Sequence, residues 1–581
     1  MKVLGMNSPY ARPPRVCGDN LHVLNDGGAA LIENGKVAFA TIEERHTRTR
    51  YSGGFNGCLD KAAEQFDLSD IDAIAFSSCC GPKWKVDETA TYLKSVLSPD
   101  IFSNNPEIVV VGHHESHAAQ GFMLSGYKRA LVAVLDGFGN LINDSEWSPE
   151  NWWHGAFERQ SYFMAEQNET GRFSLELIGR DAERADEVGV GELYGALTHF
   201  CGYDSYQQAG TVMALAAFGK PPNTVTPTIT FSEKAAMHCK ITNAHNRAAG
   251  AFEELLLSSG LNGLQALTRP VDVHDRQHCS IIAQVQRDLE EALKIRLLAL
   301  ADRYQADCLV ITGGVALNCL AMGKIAMAFP GKVFVPPAPG DTGQALGNAL
   351  WASYCPASPV SKLATDTFTM NSAPFWGIPN TAKSLQMAIN LAQTVAGMQV
   401  IEVKLPAIQA QIAAKALAEG KLVATCLGRS EYGPRALGAR SILADPRNRS
   451  IVDKVNGFKQ REPFRPFAPA ILEERVTDYF KAFVDSPFMS FALPFKGEQA
   501  ERVPAVVHAD GTARLQTVAK DSNSPLRLIL EEFEKLTGVP VLLNTSFNRK
   551  GEPIAETPEN ALKDIRDSEV MILLDSHVIC S

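Results

Sequence analysis

The stretch from residue 429 to residue 469 combines positive charge with residues that fix the backbone. It carries nine lysines and arginines against four acids, although the whole chain has a formal net charge of -10. Gly433, Pro434, Gly438 and Pro463 are set among these cations and favour a shaped loop over a regular helix face. A solvated positive face explains most charge runs, but it rarely needs so fixed a backbone. Because arginine grips phosphate and carboxylate through a planar pair of donors, the stretch predicts an anion-binding loop.

The composition is typical of a soluble globular enzyme. The chain has 581 residues, of which 45% are hydrophobic and 21% charged. This length predicts several domains, because single cores stop growing near roughly 250–300 residues. No apolar run approaches the roughly 18–20 residues that span a bilayer, and the start lacks the apolar core of a signal peptide, so we expect a cytoplasmic protein without membrane contact.

Cysteine spacing and net charge exclude further classes. The twelve cysteines are scattered and include no CxxC pair, which argues against a zinc ribbon or a disulfide framework and for reduced thiols. The acidic balance argues against non-specific nucleic-acid binding.

Short apolar runs at the start of the chain predict a strand followed by a hairpin. The candidate strands are residues 3–6, 29–32 and 37–42. Asn34-Gly35 between the last two is typical of a tight hairpin, since both turn positions need positive φ. This order resembles the opening of an actin-type nucleotide-binding lobe. A second lobe would begin with a strand at 130–135.

That second strand runs into a glycine-rich turn that begins at Asp136. An Asp at the end of a buried strand can meet phosphate and its Mg²⁺ ion, although an ordinary strand-end turn has the same pattern. Two further units of strand, glycine turn and helix follow at 308–318 and 333–347, and they put backbone N–H groups where a nucleotide can bind. No Walker-type phosphate loop occurs, and the glycines at 189–195 follow no predicted strand, so they are not a dinucleotide fingerprint.

The segment HHESHAA, residues 113–119, predicts a helix with two histidines on one face. His113 and His117 are four residues apart and can therefore bind one metal ion. The order is HxExH and not HExxH, so Glu115 points away from the pair. It cannot serve as the general base that a zinc protease needs. Histidines that only pack in the core or lie on the surface can have the same spacing. Metal binding also needs a third ligand. Asp341, at a later glycine turn, is positioned to supply it.

The C-terminal part reads as a separate unit. Residues 356–380 are rich in Pro, Ser and Thr and predict a linker. A strand at 400–403, a helix at 407–419 and a strand at 422–427 then lead into the basic stretch.

Six segments together make the chain similar to a known family: EYGPRALGARSILADPR, KQREPFRPFAP, HADGTARLQTV, NTSFNRKGEPI, TGGVALNC and HHESHAA. Over nearly its full length the chain resembles the NodU/CmcH-type O-carbamoyltransferases. The resemblance implies an α/β protein. Residues 1–360 would form a TsaD/Gcp-like actin-fold (ASKHA) domain of two lobes, 361–396 a linker, and 397–581 a YrdC-like α/β domain.

The resemblance also implies a two-step reaction. The C-terminal domain would make carbamoyl-adenylate from carbamoyl phosphate and ATP. The N-terminal domain would then move the carbamoyl group to a hydroxyl of a small-molecule natural product and release AMP. The implied cofactors are Fe²⁺, ATP and Mg²⁺, with no nucleic-acid partner.

The family's functional residues map onto this chain position by position. The implied Fe²⁺ ligands are His113, His117 and Asp341. The C-terminal carbamoyl-phosphate and ATP site maps onto Arg435, Lys459, Arg465, Arg514, Asn544 and Ser546. The N-terminal nucleotide positions map onto Asp136, Gly313, Gly314 and Asn318, with Glu192 as a weaker match. The candidate catalytic residues are Asn25, Asp26, His114 and Arg435.

Two departures from the family pattern concern the acceptor. The family commonly has a histidine that can activate the acceptor hydroxyl where this chain has Asn25, and asparagine cannot take a proton at neutral pH. His22 or His114 would have to serve instead, or the acceptor binds differently. In addition, a Lys and a Glu of the family's EGKxMGLAPYG segment are absent from residues 209–219.

Two other functions fit parts of the sequence. One is a fused threonylcarbamoyl-adenosine synthase acting on tRNA. The other is a non-catalytic actin-like nucleotide-binding regulator. The acidic, Trp-rich segment 141–180 suits a pocket for a cationic or ring-shaped acceptor, and equally a surface insertion. The sequence specifies neither the acceptor nor the oligomeric state.

Overall fold

The computed structural model describes residues 1–7, 26–79, 83, 85–142, 156–184, 187–222, 227–232, 236–239, 252–370, 374–394, 398–563 and 570–580. The chain divides into two units. The first unit contains Met1–Ala38, Gly53–Leu59 and Phe66–Met370. The second contains Phe39–Ser52, Asp60–Gln65 and Asn371–Ser581.

The strands are numbered in chain order. They are β1 (Lys2–Asn7), β2 (Gly28–Glu33), β3 (Lys36–Ile42), β4 (Ala73–Ser77), β5 (Glu107–Val110), β6 (Arg129–Leu135), β7 (Gln160–Gln167), β8 (Phe173–Asp181), β9 (Ile229–Phe231), β10 (Met237–Cys239), β11 (Cys308–Thr312), β12 (Lys332–Phe334), β13 (Gln399–Glu402), β14 (Leu422–Cys426), β15 (Ser441–Ala444), β16 (Ala468–Leu472), β17 (Phe491–Pro494), β18 (Thr512–Val518), β19 (Val541–Ser546), β20 (Val570–Leu574) and β21 (His577–Cys580).

The α-helices are numbered in the same way. They are α1 (Glu43–Thr47), α2 (Asn56–Ala63), α3 (Val86–Val96), α4 (His113–Ser125), α5 (Val190–Phe200), α6 (Ala209–Leu215), α7 (Glu253–Ser258), α8 (Arg276–Arg303), α9 (Cys319–Ala328), α10 (Gln344–Tyr354), α11 (Ala382–Thr394), α12 (Pro406–Ala418), α13 (Ile451–Lys459), α14 (Val476–Tyr479), α15 (Gly497–Arg502), α16 (Leu526–Thr537) and α17 (Pro558–Lys563).

The first sheet is built around β1 and has the order β3-β2-β1-β4-β5. β1 pairs antiparallel with β2 and parallel with β4, and β4 pairs parallel with β5. The predicted hairpin joins β2 to β3. Its turn residues Asn34 and Gly35 have φ of 48° and 76°, which are the positive values a two-residue turn of this kind needs.

The second sheet repeats this arrangement around β6, with the order β12-β11-β6-β7-β8. β6, β7 and β8 form an antiparallel meander, while β11 and β12 run parallel to β6. Two sheets of the same order, each a meander extended by two parallel strands, make up an actin-like domain of two lobes. The predicted fold class is confirmed.

Residues 160–181 are strands of this sheet, so that part of segment 141–180 is not an insertion. Its acidic and Trp-rich residues at 143–155 lie outside the described residues.

Helices α4 and α10 pack against each other in the first unit. Gly347 of α10 permits their close approach, because a Cβ atom added there would lie 2.2 Å from the carbonyl oxygen of Ser116 on α4. This contact holds the N-terminal turns of both helices near the ends of the central strands.

The second unit is an α/β domain around one sheet of the order β13-β21-β20-β14-β15-β19-β16-β18-β17. Its core includes the buried strands β14, β15, β16 and β19, and α12 packs against α16. The loop between β14 and β15 is irregular, as predicted. Gly433 and Gly438 have φ of 111° and 123° there, and a Cβ atom on Gly438 would meet the Leu526 side chain at 2.5 Å.

Most strongly patterned elements lie where the sequence predicts them, and α12 corresponds to the helix predicted at 407–419. The interval 361–396 is more structured than a plain linker, because α11 lies within it. The domain boundaries stay a prediction. Among the described residues, no helix is both long enough and apolar enough to cross a membrane.

We expect Gly347→Ala to destabilise the protein. Inside a helix, alanine is more favourable than glycine by about 1 kcal/mol. A loss of stability would therefore come from the clash with Ser116, because overpacking typically costs about 1–3 kcal/mol. Urea unfolding followed by circular dichroism measures the change. Gly210→Ala is the matched control, since that helical glycine has no atom within 4 Å of its added Cβ. Equal stability of both variants would contradict the close packing.

Candidate active sites

The first site begins with the face of α4 that carries His113 and His117. Both side chains are buried, and their ring centroids are 4.9 Å apart. Glu115 does not join them, because its Oε2 accepts a hydrogen bond of 3.1 Å from the backbone N–H of Gly112 and closes the start of the helix. The i, i+4 spacing therefore places two imidazoles together, as predicted.

Two carboxylates complete this cluster. Asp136 follows β6, and Asp341 opens the 3-10 turn that leads into α10. Nε2 of His113 lies 3.0 Å from Oδ2 of Asp136 and 3.3 Å from Oδ1 of Asp341. Nε2 of His117 lies 3.4 Å and 3.3 Å from the same two atoms. One ligand atom from each residue lies within 4.8 Å of all the others.

Backbone and amide groups hold the two carboxylates in place. The N–H of Gly314 donates to Oδ1 of Asp136 at 3.0 Å. Nδ2 of Asn7, at the end of β1, donates to the carbonyl oxygens of Asp341 at 3.1 Å and of Asp26 at 3.0 Å. The predicted residue Asp26 is thus brought beside the cluster through its backbone.

The electrostatics of the cluster are those of a cation site. Burial alone would lower the pKa of His113, but the carboxylates of Asp341 and Asp136 outweigh it and hold that pKa well above its usual range. Burial would raise the pKa of Asp136, but hydrogen bonds from His113 and His117 hold it well below. Two carboxylates this close repel each other unless positive charge lies between them.

The residues fit a divalent transition metal. Two imidazoles and two carboxylates are borderline-hard ligands that suit Fe²⁺ and related ions. Nδ1 of His117 has no hydrogen-bond partner among the described residues, although metal-bound histidines usually donate from the second ring nitrogen. The fit therefore rests on the four ligand atoms.

Asp136 is the residue whose place in this cluster the sequence did not reveal. Its position at the end of a strand predicted a nucleotide contact, and the structure brings it against both histidines instead. The sequence pattern allowed both roles, because an Asp at the end of a strand and before a glycine turn can contact a nucleotide or bind a metal ion. Only the approach of α4 to the end of β6 distinguishes them.

The other candidate catalytic residues of this unit lie apart or outside the described residues. His114 points away from the pair: its Nδ1 is 2.7 Å from Oγ of Ser161, the ring is fully buried, and burial holds its pKa well below the usual range. Asn25 and His22 lie outside the described residues. Which group activates the acceptor stays a prediction.

The remaining nucleotide candidates are Gly313, Gly314, Asn318 and Glu192. Gly313 has a φ of 89°, and a Cβ atom there would lie 2.3 Å from the carbonyl oxygen of Leu135, so only glycine fits. Asn318 caps α9 by accepting from the N–H of Ala321 at 3.1 Å. Glu192 forms a buried ion pair with Arg159, which engages its carboxylate inside the protein.

The second site lies in the second unit around Lys459. This lysine ends α13 and is only 4% exposed. Its Nζ donates to the carbonyl oxygen of Ser546 and, at 3.1 Å, to both the carbonyl oxygen and Oδ1 of Asn548. Burial lowers the pKa of Lys459 well below its usual range, and the positive charges of Arg461, Arg465 and Arg50 act in the same direction.

Arg465 and Arg514 extend this positive cluster. Burial lowers the pKa of Arg465, and Arg514 is among the cations that lower it further, while Glu462 opposes them from 3.9 Å. Asn544 of β19 reaches past β16 to β18, since its Nδ2 donates to Oε1 of Gln516 at 2.7 Å. Arg435 lies half-buried in the loop between β14 and β15.

His508 is a further residue of this region that sequence reasoning did not single out. Burial lowers its pKa to about 4, and Arg514 acts in the same direction. Its Nε2 is buried without a hydrogen-bond partner among the described residues. His508 is the first residue of the HADGTAR segment, which also contains Arg514.

Several cations of the basic stretch are structural. Arg440 is fully buried and donates to the carbonyl oxygens of Glu556, Leu427 and Gly428. Arg429 and Arg461 likewise donate to backbone carbonyls, and Arg447 pairs with Asp445 at 2.6 Å. The anion-binding loop predicted from the sequence is thus divided between cations that brace the fold and cations around Lys459.

Comparison with known proteins identifies the class. The family model for the carbamoyltransferase N-terminus matches residues 84–350, and that for the carbamoyltransferase C-terminus matches residues 414–580. The chain is therefore a carbamoyltransferase enzyme.

Individual relatives extend this match over most of the chain. The nodulation protein NolNO of Sinorhizobium fredii is 30% identical over 93% of this chain and 76% of its own length. The nodulation protein NolO of Bradyrhizobium diazoefficiens is 31% identical over 78% of this chain and 75% of its own length. The chain belongs to the carbamoyltransferase family of these nodulation proteins, which confirms the resemblance found in its sequence.

One solved structure illustrates the distance to known folds. The crystal structure of T. kodakarensis HypF is 14% identical, covers 61% of this chain and 48% of its own, and has a TM-score of 0.34. A similarity at this level carries no argument about function.

We expect Asp136→Asn to weaken divalent-metal binding. The amide keeps the shape of the side chain but removes the negative charge, and loss of a ligand should cost at least the roughly tenfold seen when supporting residues are lost. Titration with Fe²⁺ under anaerobic conditions, followed by metal analysis, measures the affinity. Asp302→Asn, an exposed position on α8, is the control. Unchanged affinity in Asp136→Asn would remove that residue from the ligand set.

We expect sulfate binding at Lys459 to take up a proton. The amine has a lowered pKa in the free protein, and a bound anion raises it, so affinity should fall as pH rises. Sulfate does not itself titrate near neutral pH, and calorimetry in buffers of different ionisation enthalpy counts the protons. Lys459→Met should abolish the uptake, while Lys454→Met on the exposed face of α13 should not. Equal uptake in both variants would contradict the assignment.

Proposed function

We propose that the protein is an ATP-dependent O-carbamoyltransferase that works through carbamoyl-adenylate. The proposal rests on one observation above all: the two units carry clusters of opposite chemistry. The second unit gathers cations around Lys459, which suits phosphate-bearing substrates. The first unit gathers carboxylates and imidazoles around Asp136 and Asp341, which suits a divalent metal ion. The family's carbamoyl chemistry can be divided between these two sites.

The first half-reaction would take place in the second unit. Carbamoyl phosphate and ATP are both anionic, so bringing them together costs electrostatic repulsion. Each hydrogen bond from a cationic side chain to a charged oxygen contributes roughly 1.5–3 kcal/mol, and Lys459, Arg465, Arg514 and Arg435 together can offset that repulsion. In this step ATP loses pyrophosphate, carbamoyl phosphate loses phosphate, and one water is consumed for each carbamoyl-adenylate formed.

The second half-reaction would take place in the first unit. A hydroxyl of the acceptor attacks the carbamoyl carbon, the bond to the adenylate oxygen breaks, and AMP leaves. His113, His117, Asp136 and Asp341 would hold the Fe²⁺ ion, and Lewis-acid polarisation of a carbamoyl or phosphate oxygen is the chemistry such an ion supplies. The N–H of Gly314 keeps the Asp136 carboxylate oriented toward the pair of histidines. Mg²⁺ would accompany the ATP.

We propose a small hydroxylated natural product as the acceptor. The net charge of -10 opposes binding to a polyanion such as tRNA. A threonylcarbamoyl transfer to tRNA is the alternative within the same chemistry.

We expect two substitutions to separate the half-reactions. Arg435→Ala should abolish carbamoyl-phosphate-dependent pyrophosphate release from ATP, because it removes a phosphate contact. His117→Ala should lose bound iron and carbamoyl transfer, yet keep pyrophosphate release. A coupled pyrophosphate assay measures the first step, and mass-spectrometric screening of hydroxylated natural products for a carbamoyl mass gain measures the second.

Each variant controls for the other. Normal pyrophosphate release in Arg435→Ala would refute the adenylation site, and equal loss of both steps in His117→Ala would refute two separable sites. Steeply salt-dependent retention of tRNA on filters would favour the tRNA alternative.

A further inference from the structure

A segment from the N-terminal part of the chain belongs to the second unit. Residues 39–52 group with it, and α1 lies within this segment. Arg45 of α1 is buried, and its guanidinium donates to the carbonyl oxygens of Gly433 at 3.1 Å and of Glu431 at 3.4 Å. It also pairs with Glu556 at 3.5 Å. The segment is therefore anchored on the loop that carries Arg435.

A second anchor joins the segment to the surroundings of Lys459. Arg48 donates to the carbonyl oxygens of Ile554 at 2.7 Å and Pro553 at 2.8 Å. The same loop begins at Asn548, which accepts from Lys459, and the N–H of Lys550 donates to the carbonyl oxygen of Lys459 at 2.8 Å. Residues 546–556 thus connect the lysine at one end with Arg48 at the other.

Beyond these anchors the chain presents Arg50 and Tyr51. Tyr51 has a φ of 58°, and its N–H donates to Oε2 of Glu44 at 2.8 Å, so the turn is fixed. The Arg50 guanidinium lies 4.5 Å from the Tyr51 ring centroid and donates to its hydroxyl at 2.8 Å. Although Arg50 is exposed, its side chain has a defined position.

Arg50 adds positive charge to a cluster that already holds several cations. Its charge lowers the pKa of both Lys459 and Arg465, and Tyr51 opposes it at Arg465. Glu462 is the carboxylate set among them, and it pairs with Lys550 at 2.6 Å. Cations brought this close repel one another unless an anion is bound.

Burial orders these cations from the interior to the solvent. Lys459 is buried, Arg465 and Arg514 are half-buried, and Arg50 is exposed. A small dianion can be enclosed at the buried end. A triphosphate is longer and carries more charge, so its outer phosphates extend toward the solvent side.

We propose that Arg50, held by Tyr51, binds the β and γ phosphates of ATP during adenylate formation. This inference rests on the proposed function. Negative charge builds up on the departing pyrophosphate as the bond between the α-phosphorus and the bridging oxygen breaks. A guanidinium at that end of the nucleotide stabilises the charge.

The test uses the full chain and the pyrophosphate assay. Arg50→Ala should raise the KM for ATP by about tenfold or more, the loss expected for a hydrogen bond to a charged group. The KM for carbamoyl phosphate should change less than about twofold, since that substrate does not reach Arg50. Arg50→Lys should recover part of the effect, because a charge without the planar pair of donors remains. Arg449→Ala, an exposed arginine of the same unit, is the control and should leave both constants unchanged.

The outcomes distinguish this inference from the proposed function. No carbamoyl-phosphate-dependent pyrophosphate release by the unaltered protein would overturn the proposed function itself. Release with an unchanged KM for ATP in Arg50→Ala would overturn only the role of Arg50. A rise in the KM for carbamoyl phosphate alone would overturn the triphosphate assignment. Thermal unfolding of each variant ensures that the comparison is between folded proteins.

Discussion

Two carboxylates that share a buried space need positive charge between them, and the first unit is arranged around that requirement. Asp136 follows β6, Asp341 opens the turn before α10, and both meet His113 and His117. Although burial opposes it, these carboxylates raise the pKa of both histidines, which favours their charged form. A bound divalent ion meets the same need with neutral imidazoles. The close packing of α4 on α10 at Gly347 makes this convergence possible.

The duplicated sheet explains why the cluster lies where it does. β1 and β6 are central and equivalent in the two five-stranded sheets; β1 ends at Asn7, and Asp136 directly follows β6. Asn7 donates to the backbone of Asp341, while Asp136 faces the histidines directly. The two lobes thus contribute different groups from the same topological position.

The C-terminal site shows how far charge patterning carries a prediction. The sequence indicates an anion-binding loop, and Lys459 and Arg465 do lie in a positive cluster. It does not separate them from Arg440, which is fully buried and braces backbone carbonyls. All of them are cations in one stretch, and the sequence does not record which groups surround each side chain. Arg514 was reached only through the family resemblance, because it lies on a later strand.

By itself the sequence determined the local features. The Asn34-Gly35 hairpin and the facing pair His113 and His117 follow from turn chemistry and helix period, which act between near neighbours. Only the tertiary structure decided that Asp136 joins the histidines and that Arg50 joins the second unit. Those contacts link residues far apart in the chain, and they depend on how helices and loops pack. A local sequence pattern limits which interactions a residue can make, whereas tertiary packing decides which partner it contacts.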